Sequence, residues 1–442
     1  MSKKTIILKE NETWPDLKNP QEKKDALDYF QSLTPSDKKL RELLVKKGIL
    51  EFDLLQDNGM RIISNDFIGT VSFENFDLKI IPKIYSKNNS EIWKNVASCI
   101  NFTQKFDSAK ILEYQKISFT EQDKSLQDFI IWELVFECEL LLHRGLLKSY
   151  VSHEENLPYL RGKLLLKHQF QNDVQKKAQF FCEYDELEYD NIENRIIFYI
   201  LFLCQHIAIS SNLKKHLFRL IEQFSSMVQK TPISISDIKK VMKSYNRQNL
   251  HYKDAHLICM LILKHVGISD FYHTNTSFAI PFFVKMYDVF EDFVTLFFKK
   301  YAESELKAQE TRKGWNVDDK SGRAMKPDII LRNNESLTIV DVKYKPKLYP
   351  GDLYQIGFYI HEYTKKRENL TGNHAFAILP QYPDDFKKPH TFEATETKIT
   401  VFERHLDLDK CMSLILNKDE SKIKKLVKRI LDPKDNLENL YS

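Results

Sequence analysis

Glycine is scarce in this chain, at 11 of 442 residues, and proline numbers only 14. That poverty excludes collagen-like, β-helical and low-complexity architectures and favours long helices. The six cysteines, at 99, 138, 182, 204, 259 and 411, form no C-x-x-C pair and are scattered through apolar stretches. Clustered zinc ligands are therefore missing, and buried free thiols in a reducing compartment are expected. His251 and His256 are five apart and so do not stack at i,i+4. No apolar run reaches the 20 residues of a membrane span; the longest, at 196–204, ends in Gln205-His206. After Met1-Ser2-Lys3-Lys4 only Thr5-Ile6-Ile7-Leu8 precede Lys9, too short for a signal peptide, so a cytoplasmic chain is expected. Neither sign of charge dominates: 66 Lys+Arg against 62 Asp+Glu leave +4, unlike a histone-like tail or an acidic disordered protein. Phosphate-binding glycine loops are lacking as well. The only Gly-Lys pair, Gly162-Lys163, is followed by Leu164, with no Gly five residues before it. Without a Walker A loop or G-x-G-x-x-G, the chain is not expected to hydrolyse nucleotide itself.

What is present is a globular composition, 42% apolar and 29% charged, at a length that suggests about three domains of roughly 150 residues. Residues 1–57 read as helical and polar. Thr34-Pro35-Ser36-Asp37 is a helix start, Leu40, Leu43 and Leu44 form its apolar stripe, and Gly48 fits its stop. Residues 59–84 read as a short antiparallel β unit, from the β-branched and aromatic residues around Phe67–Phe73 and Leu78–Ile84. From 91 to 271 the pattern is mainly helical, interrupted at Arg161-Gly162-Lys163, with linkers at 86–90 and 231–236. After Pro281 the order becomes helix, strands, helix, strands. The expected fold is α+β multidomain: a small N-terminal β/α region at 1–110, a central helical region at 111–280, and a C-terminal α/β region at 281–442 with a mixed sheet.

The last region carries the chemistry. Residues 282–300 read as one amphipathic helix with Met286, Phe290, Phe293 and Phe297 on its inner stripe and Glu291 beside it among aromatics. Lys326-Pro327-Asp328 enters an apolar strand, and a second strand carries Asp341-Val342-Lys343; Asn333-Asn334 between them suits a hairpin. Residues two apart share a strand face, so Asp341 and Lys343 point the same way and pairing can bring Asp328 beside them. Carboxylates so placed suit hard Mg²⁺, or Mn²⁺, and phosphodiester hydrolysis by a metal-activated water. Asp328 and Asp341 would hold the metal, Glu291 would complete its shell or serve as base, and Lys343 would offset developing charge. A helix after Pro350-Gly351-Asp352 sets Gln355 and Tyr359 one turn apart, able to brace the site or touch DNA. Lys345 and Lys347 lie just beyond, and Lys422, Lys424, Lys425, Lys428 and Arg429 form a basic helix. These would contact phosphates without reading sequence. D/E-x-K triplets recur elsewhere, as at Asp77–Lys79, so the ordered set carries the signal rather than the triplet.

At these residues the chain resembles the PD-(D/E)xK nuclease superfamily and, within it, the McrC family, the endonuclease subunits of McrBC-type 5-methylcytosine restriction systems. Phe290-Glu291-Asp292-Phe293-Val294, Pro327-Asp328, Asp341-Val342-Lys343-Tyr344 and Asp352-x-Tyr354-Gln355 look like the nuclease motifs. Gly69-Thr70-Val71 with Ile80–Ile84, Leu160-Arg161-Gly162-Lys163-Leu164, and Tyr184-Asp185-Glu186 with Asp190 and Asn194-Arg195 look like upstream family segments, carrying the resemblance over 60–420. For Arg161-Gly162 and Asn194-Arg195 we favour capping and packing over contact with a partner's nucleotide site. The resemblance implies a PD-(D/E)xK domain at the C-terminal end and a partner-docking region at the N-terminal end. It also implies a hexameric McrB-like AAA+ GTPase partner that the chain stimulates, cleavage of methylated double-stranded DNA, a role in antiviral defence, and no membrane. Two other readings stay open: a free-standing RecB-like nuclease of repair or restriction, since Gln-x-x-x-Tyr also resembles that group, and a non-catalytic activator of an AAA+ motor.

Overall fold

In the computed structural model the described residues are 4–16, 19–54, 60–87, 91–117, 125–266, 281–302, 305–308, 312–313, 324–325, 327–332, 337–364, 374–382, 390–394 and 399–435. Lys326 and the Asn333-Asn334 turn lie outside them. The chain divides into two compact units, one of residues 1–129 with 281–442 and one of residues 130–280. The first and last of the three expected regions thus share one unit. The reason is a strand the sequence reading had absorbed into a helix. Phe282–Lys285 is a β-strand pairing antiparallel with Phe67–Ser72, and the helix is Met286–Tyr301. Phe282, Phe283 and Val284 are buried in that strand, while the expected inner stripe of Met286, Phe290, Phe293 and Phe297 lies wholly within the helix and is buried.

That strand closes a four-stranded sheet ordered Lys4–Lys9, Phe76–Ile81, Phe67–Ser72, Phe282–Lys285. The antiparallel unit expected near 59–84 is its centre. The first strand corrects the reading of residues 1–57 as helical: Ile6 and Leu8 are buried while Thr5 is exposed, the alternation of a strand covered on one face. Pro20–Gln31 and Pro35–Lys46 are helices; the second starts at a Thr34–Asp37 capping box, and Gly48 sits beyond its end at φ +65°. Gly69 has φ +154°, and a Cβ there would lie 2.4 Å from the Phe282 carbonyl oxygen.

A six-stranded mixed sheet is ordered Glu305–Ala308, Ile329–Arg332, Leu337–Val342, His374–Pro380, Thr400–Leu406, Thr391–Glu393. The last helix-covered face packs Ile330, Ile339, Ala375, Ala377, Leu379 and Val401 against Ile356, Tyr359, Ile360 and Tyr363 of helix Pro350–Thr364.

The other unit contains helices Ile192–Ile207, Ser211–Ser225, Ile235–Lys243 and Lys253–Val266. It also contains a three-stranded sheet, Ser149–Leu157, Phe180–Glu188 and Lys163–Leu164, where helix was expected. These strands alternate charged and half-buried residues and bury little, so no apolar period marked them. Asn194 donates to the Leu147 and Tyr189 carbonyls (2.9 and 2.7 Å) and Arg195 pairs with Asp190 at 2.7 Å, a local scaffold. Arg161 instead lies on the sheet surface, 3.9 Å from the Tyr184 ring centroid. Among the described residues no helix is long and apolar enough to cross a membrane. All six cysteines are buried and free.

Candidate active site

The hairpin builds the centre. Ile329 pairs with Val340, so the next step along the register sets Asp328 opposite Asp341 on one sheet face. Apolar residues on both strands bury Asp341 and leave Asp328 half-buried at the end of the ladder. The Val342 N–H donates to Asp328 Oδ2 at 2.7 Å. Asp341 is 1% exposed, and Lys343 Nζ lies 2.7 Å from its Oδ2. The Lys343 N–H donates to the Ile378 carbonyl (2.9 Å), extending the parallel pairing past the strand's end and fixing where Lys343 emerges.

Two helices add to this. In Met286–Tyr301 the residues Met286, Phe290, Phe293 and Phe297 are buried, which turns Tyr287 and Glu291 toward the flank. The Tyr287 hydroxyl donates to Glu291 one turn on, and both are within electrostatic reach of Asp328. In Pro350–Thr364, Gln355 Nε2 donates to the Tyr359 hydroxyl (2.7 Å), and Tyr359 feels the charges of Asp341, Lys343 and Asp328. Asp352 caps the start of that helix by accepting from the Tyr349 N–H (3.0 Å), and it holds Lys345 Nζ at 2.8 and 3.1 Å. Lys345 is thereby engaged by a carboxylate, whereas Lys347 is exposed, its Nζ 5.6 Å from the Tyr349 ring centroid. The structure sets Asp328, Asp341 and Lys343 together, with Glu291 and Tyr359 within electrostatic reach, Gln355 held at Tyr359, and the two lysines beyond.

The profile of the family described as "McrBC 5-methylcytosine restriction system component" matches residues 63–371, which include every one of these side chains. The chain belongs to that family. This McrBC component is similar in structure to a chain of the refined half-complex from the tetradecameric assembly of Thermococcus gammatolerans McrB AAA+ hexamers with bound McrC. The TM-score is 0.64 at 18% identity, over 94% of this chain and 100% of that one. A chain of the cryo-EM structure of the Thermococcus gammatolerans McrBC complex matches at TM-score 0.48 and 19% identity, over 68% of this chain and 89% of that one. No protein with a curated description matches.

In this McrBC component the acids are unusual electrostatically. Burial, and then the Asp341 charge, push the Asp328 carboxyl up to about 7, with the Val342 N–H opposing. Burial raises Asp341 also, opposed by the charge of Lys343 and by a hydrogen bond from Asp328. The Lys343 charge thus favours the ionised form of Asp341, while burial and the Asp341 charge favour the neutral form of Asp328. Burial disfavours the Lys343 ammonium, but Asp341 outweighs it and its pKa is raised, so Lys343 stays charged. Burial and then Glu291 raise the Tyr287 hydroxyl, keeping it a donor.

Sequence reasoning passed over three residues of this architecture. Tyr287 was a flanking aromatic, although its i,i+4 spacing to Glu291 was available as a signal. Asp352 was a helix start, not the partner of Lys345. Glu10 came from a stretch read as helical, yet it is buried and accepts from the Tyr344 hydroxyl at 2.8 Å. No local pattern announces a contact between residues 334 positions apart.

Proposed function

We propose that this McrBC component is the Mg²⁺-dependent DNA endonuclease subunit of a modification-dependent restriction system, with a PD-(D/E)xK nuclease domain in its C-terminal region. The observation that carries this reading is half-buried Asp328 set opposite buried Asp341, with the Lys343 ammonium 2.7 Å from Asp341 Oδ2. Two carboxylates so placed and withdrawn from water cost free energy unless a ligand offsets their repulsion. The donors are carboxylate oxygens, which fit a hard divalent ion and not a soft one. Asp328 and Asp341 would hold Mg²⁺ or Mn²⁺, with Glu291 outside their direct cluster but within electrostatic reach of Asp328. When bound, that ion would neutralise phosphate charge and make a water more acidic.

The chain's own residues do the rest. Holding the ion would require Asp328 to lose its proton, so affinity would rise with pH. Lys343 presents a fixed positive charge to the negative charge that grows on the phosphate during attack. Glu291, aimed by Tyr287, takes the proton from the attacking water. Gln355 and Tyr359 brace the wall behind Asp341. Lys347 and the exposed lysines of helix Glu420–Ile430 (Lys422, Lys424, Lys425, Lys428) contact the DNA backbone.

The chain has no nucleotide-binding loop, whereas the Thermococcus structure it resembles contains McrB AAA+ hexamers. A McrB-like AAA+ GTPase hexamer is accordingly its motor, in the cytoplasm, on methylated double-stranded DNA, in defence against foreign DNA. Cleavage of methylated and unmethylated plasmid tests this, with Mg²⁺, with and without the partner and GTP. Cutting that needs partner and GTP and disappears in Asp341→Ala, while GTPase stimulation persists, is the expected result. Cutting by the chain alone would favour a free-standing nuclease, and no cutting in any mixture a non-catalytic activator.

A further inference from the structure

Glu10 is a carboxylate in the core of its unit, 4% exposed, at the end of the first strand. Its own N–H is fixed on the Ile81 carbonyl (3.1 Å). Its Oε2 accepts from two donors, the Lys83 N–H at 3.0 Å and the Tyr344 hydroxyl at 2.8 Å. The Lys83 ammonium stands 4.4 Å from the centroid of the same tyrosine ring. Burial of such a group is costly, and an apolar pair of like volume would stabilise the fold as well or better. Oriented bonds do what an apolar pair cannot: they fix where a ring points and where its backbone runs.

The backbone concerned is that of the candidate site. Tyr344 follows Lys343 directly, so it leaves the chain on the side opposite the Lys343 ammonium. Its ring lies 5.7 Å from that of Phe290, the residue before Glu291. One side chain therefore touches the segment of Asp341 and Lys343, the helix of Glu291, and the first strand. Glu10 lies outside the part of the chain that the family profile matches, residues 63–371.

We propose that Glu10 and Tyr344 are positioning residues: their hydrogen bond ties the first strand to the Asp341–Lys343 segment and sets those two side chains against Glu291. The inference rests on the nuclease reading. Tyr344→Phe keeps the ring and removes the bond; Glu10→Met keeps about the same volume and removes the acceptor.

The test is single-turnover cleavage with the AAA+ partner and GTP, at saturating DNA, beside Mn²⁺ binding by the chain alone read by electron paramagnetic resonance. Misplacement by about 1 Å costs up to roughly a hundredfold in rate. Each variant should therefore cut about ten- to a hundredfold more slowly and bind Mn²⁺ several-fold more weakly. DNA affinity and GTPase stimulation should stay at wild-type levels. The double variant should be no slower than the slower single one, because both remove one bond. Variants that cut and bind Mn²⁺ like the wild type would overturn the proposal and leave the nuclease reading standing. Loss of thermal stability, GTPase stimulation and cutting together would overturn it in favour of a purely structural role. A wild type that neither cuts nor binds Mn²⁺ would overturn both; one that binds Mn²⁺ without cutting, with binding weakened in the variants, would keep the positioning role and sink the nuclease.

Discussion

A carboxyl group that keeps its proton to about pH 7 makes Asp328 the most informative single residue. In the unfolded chain it titrates near its ordinary 3.8, so protonation stabilises the folded state fully below about pH 4. That stabilisation is lost as pH rises through about 7. Urea unfolding at a series of pH values should therefore show Asp328→Asn gaining on the wild type between about pH 4 and 7, with no further gain above. Glu10 is also raised to about 7, by burial first, against the opposing Lys83 N–H and Tyr344 hydroxyl, so Glu10→Gln should trace the same sign in the same window. Mg²⁺ or Mn²⁺ separates the two. At 100 times its dissociation constant a ligand adds about 2.7 kcal/mol. Calorimetry at pH 8 should show a gain of that order in the wild type, a smaller one in Glu10→Gln, and none in Asp328→Asn. For the reaction itself, Asp341→Ala should lower the single-turnover rate by about a hundredfold or more. These residues were legible in the sequence because strand period, a proline and a turn localise them. Their raised pKa values were not, since these depend on burial and on a neighbour across the hairpin.

At the scale of elements, the start of the Glu291 helix depends on a strand four residues long. Phe282–Lys285 pairs with the Phe67–Ser72 strand only because Gly69 lets the Phe282 carbonyl approach where a Cβ would collide. Gly69→Ala should cost about 1–3 kcal/mol in equilibrium unfolding, through strain at its φ of +154° and through that clash. It should also slow cutting, because Tyr287 and Glu291 follow directly from the displaced strand. Unchanged stability would show that the pairing does not need this glycine. The helix at Pro35–Lys46 was readable to within a residue, since its cap, proline and Gly48 stop all act locally. The 282–285 strand was not, since Phe-Phe-Val satisfies helical and extended patterns alike. The Ser149–Leu157 and Phe180–Glu188 strands were hidden for the opposite reason, having no apolar face to reveal a period.

For the whole molecule, a net charge of +4 over 442 residues predicts weak DNA binding by the chain alone. Fluorescence anisotropy with a duplex should show affinity falling steeply between 50 and 200 mM salt, about as expected for a few phosphate contacts. Tight, salt-insensitive binding without the partner would contradict the charge count.

The sequence by itself determined that the chain forms a mixed α/β protein, that it carries no nucleotide loop, and that its acids and lysine fall in the order of the McrC motifs. Each of these follows from residue type and spacing over a few turns or strands. Tertiary structure alone decided that the two ends of the chain form one unit, that Asp328 faces Asp341 where burial raises both, that Lys345 belongs to Asp352, and that Glu10 reaches Tyr344. Those are consequences of contacts distant in sequence and of exclusion from water, and neither is written in local pattern.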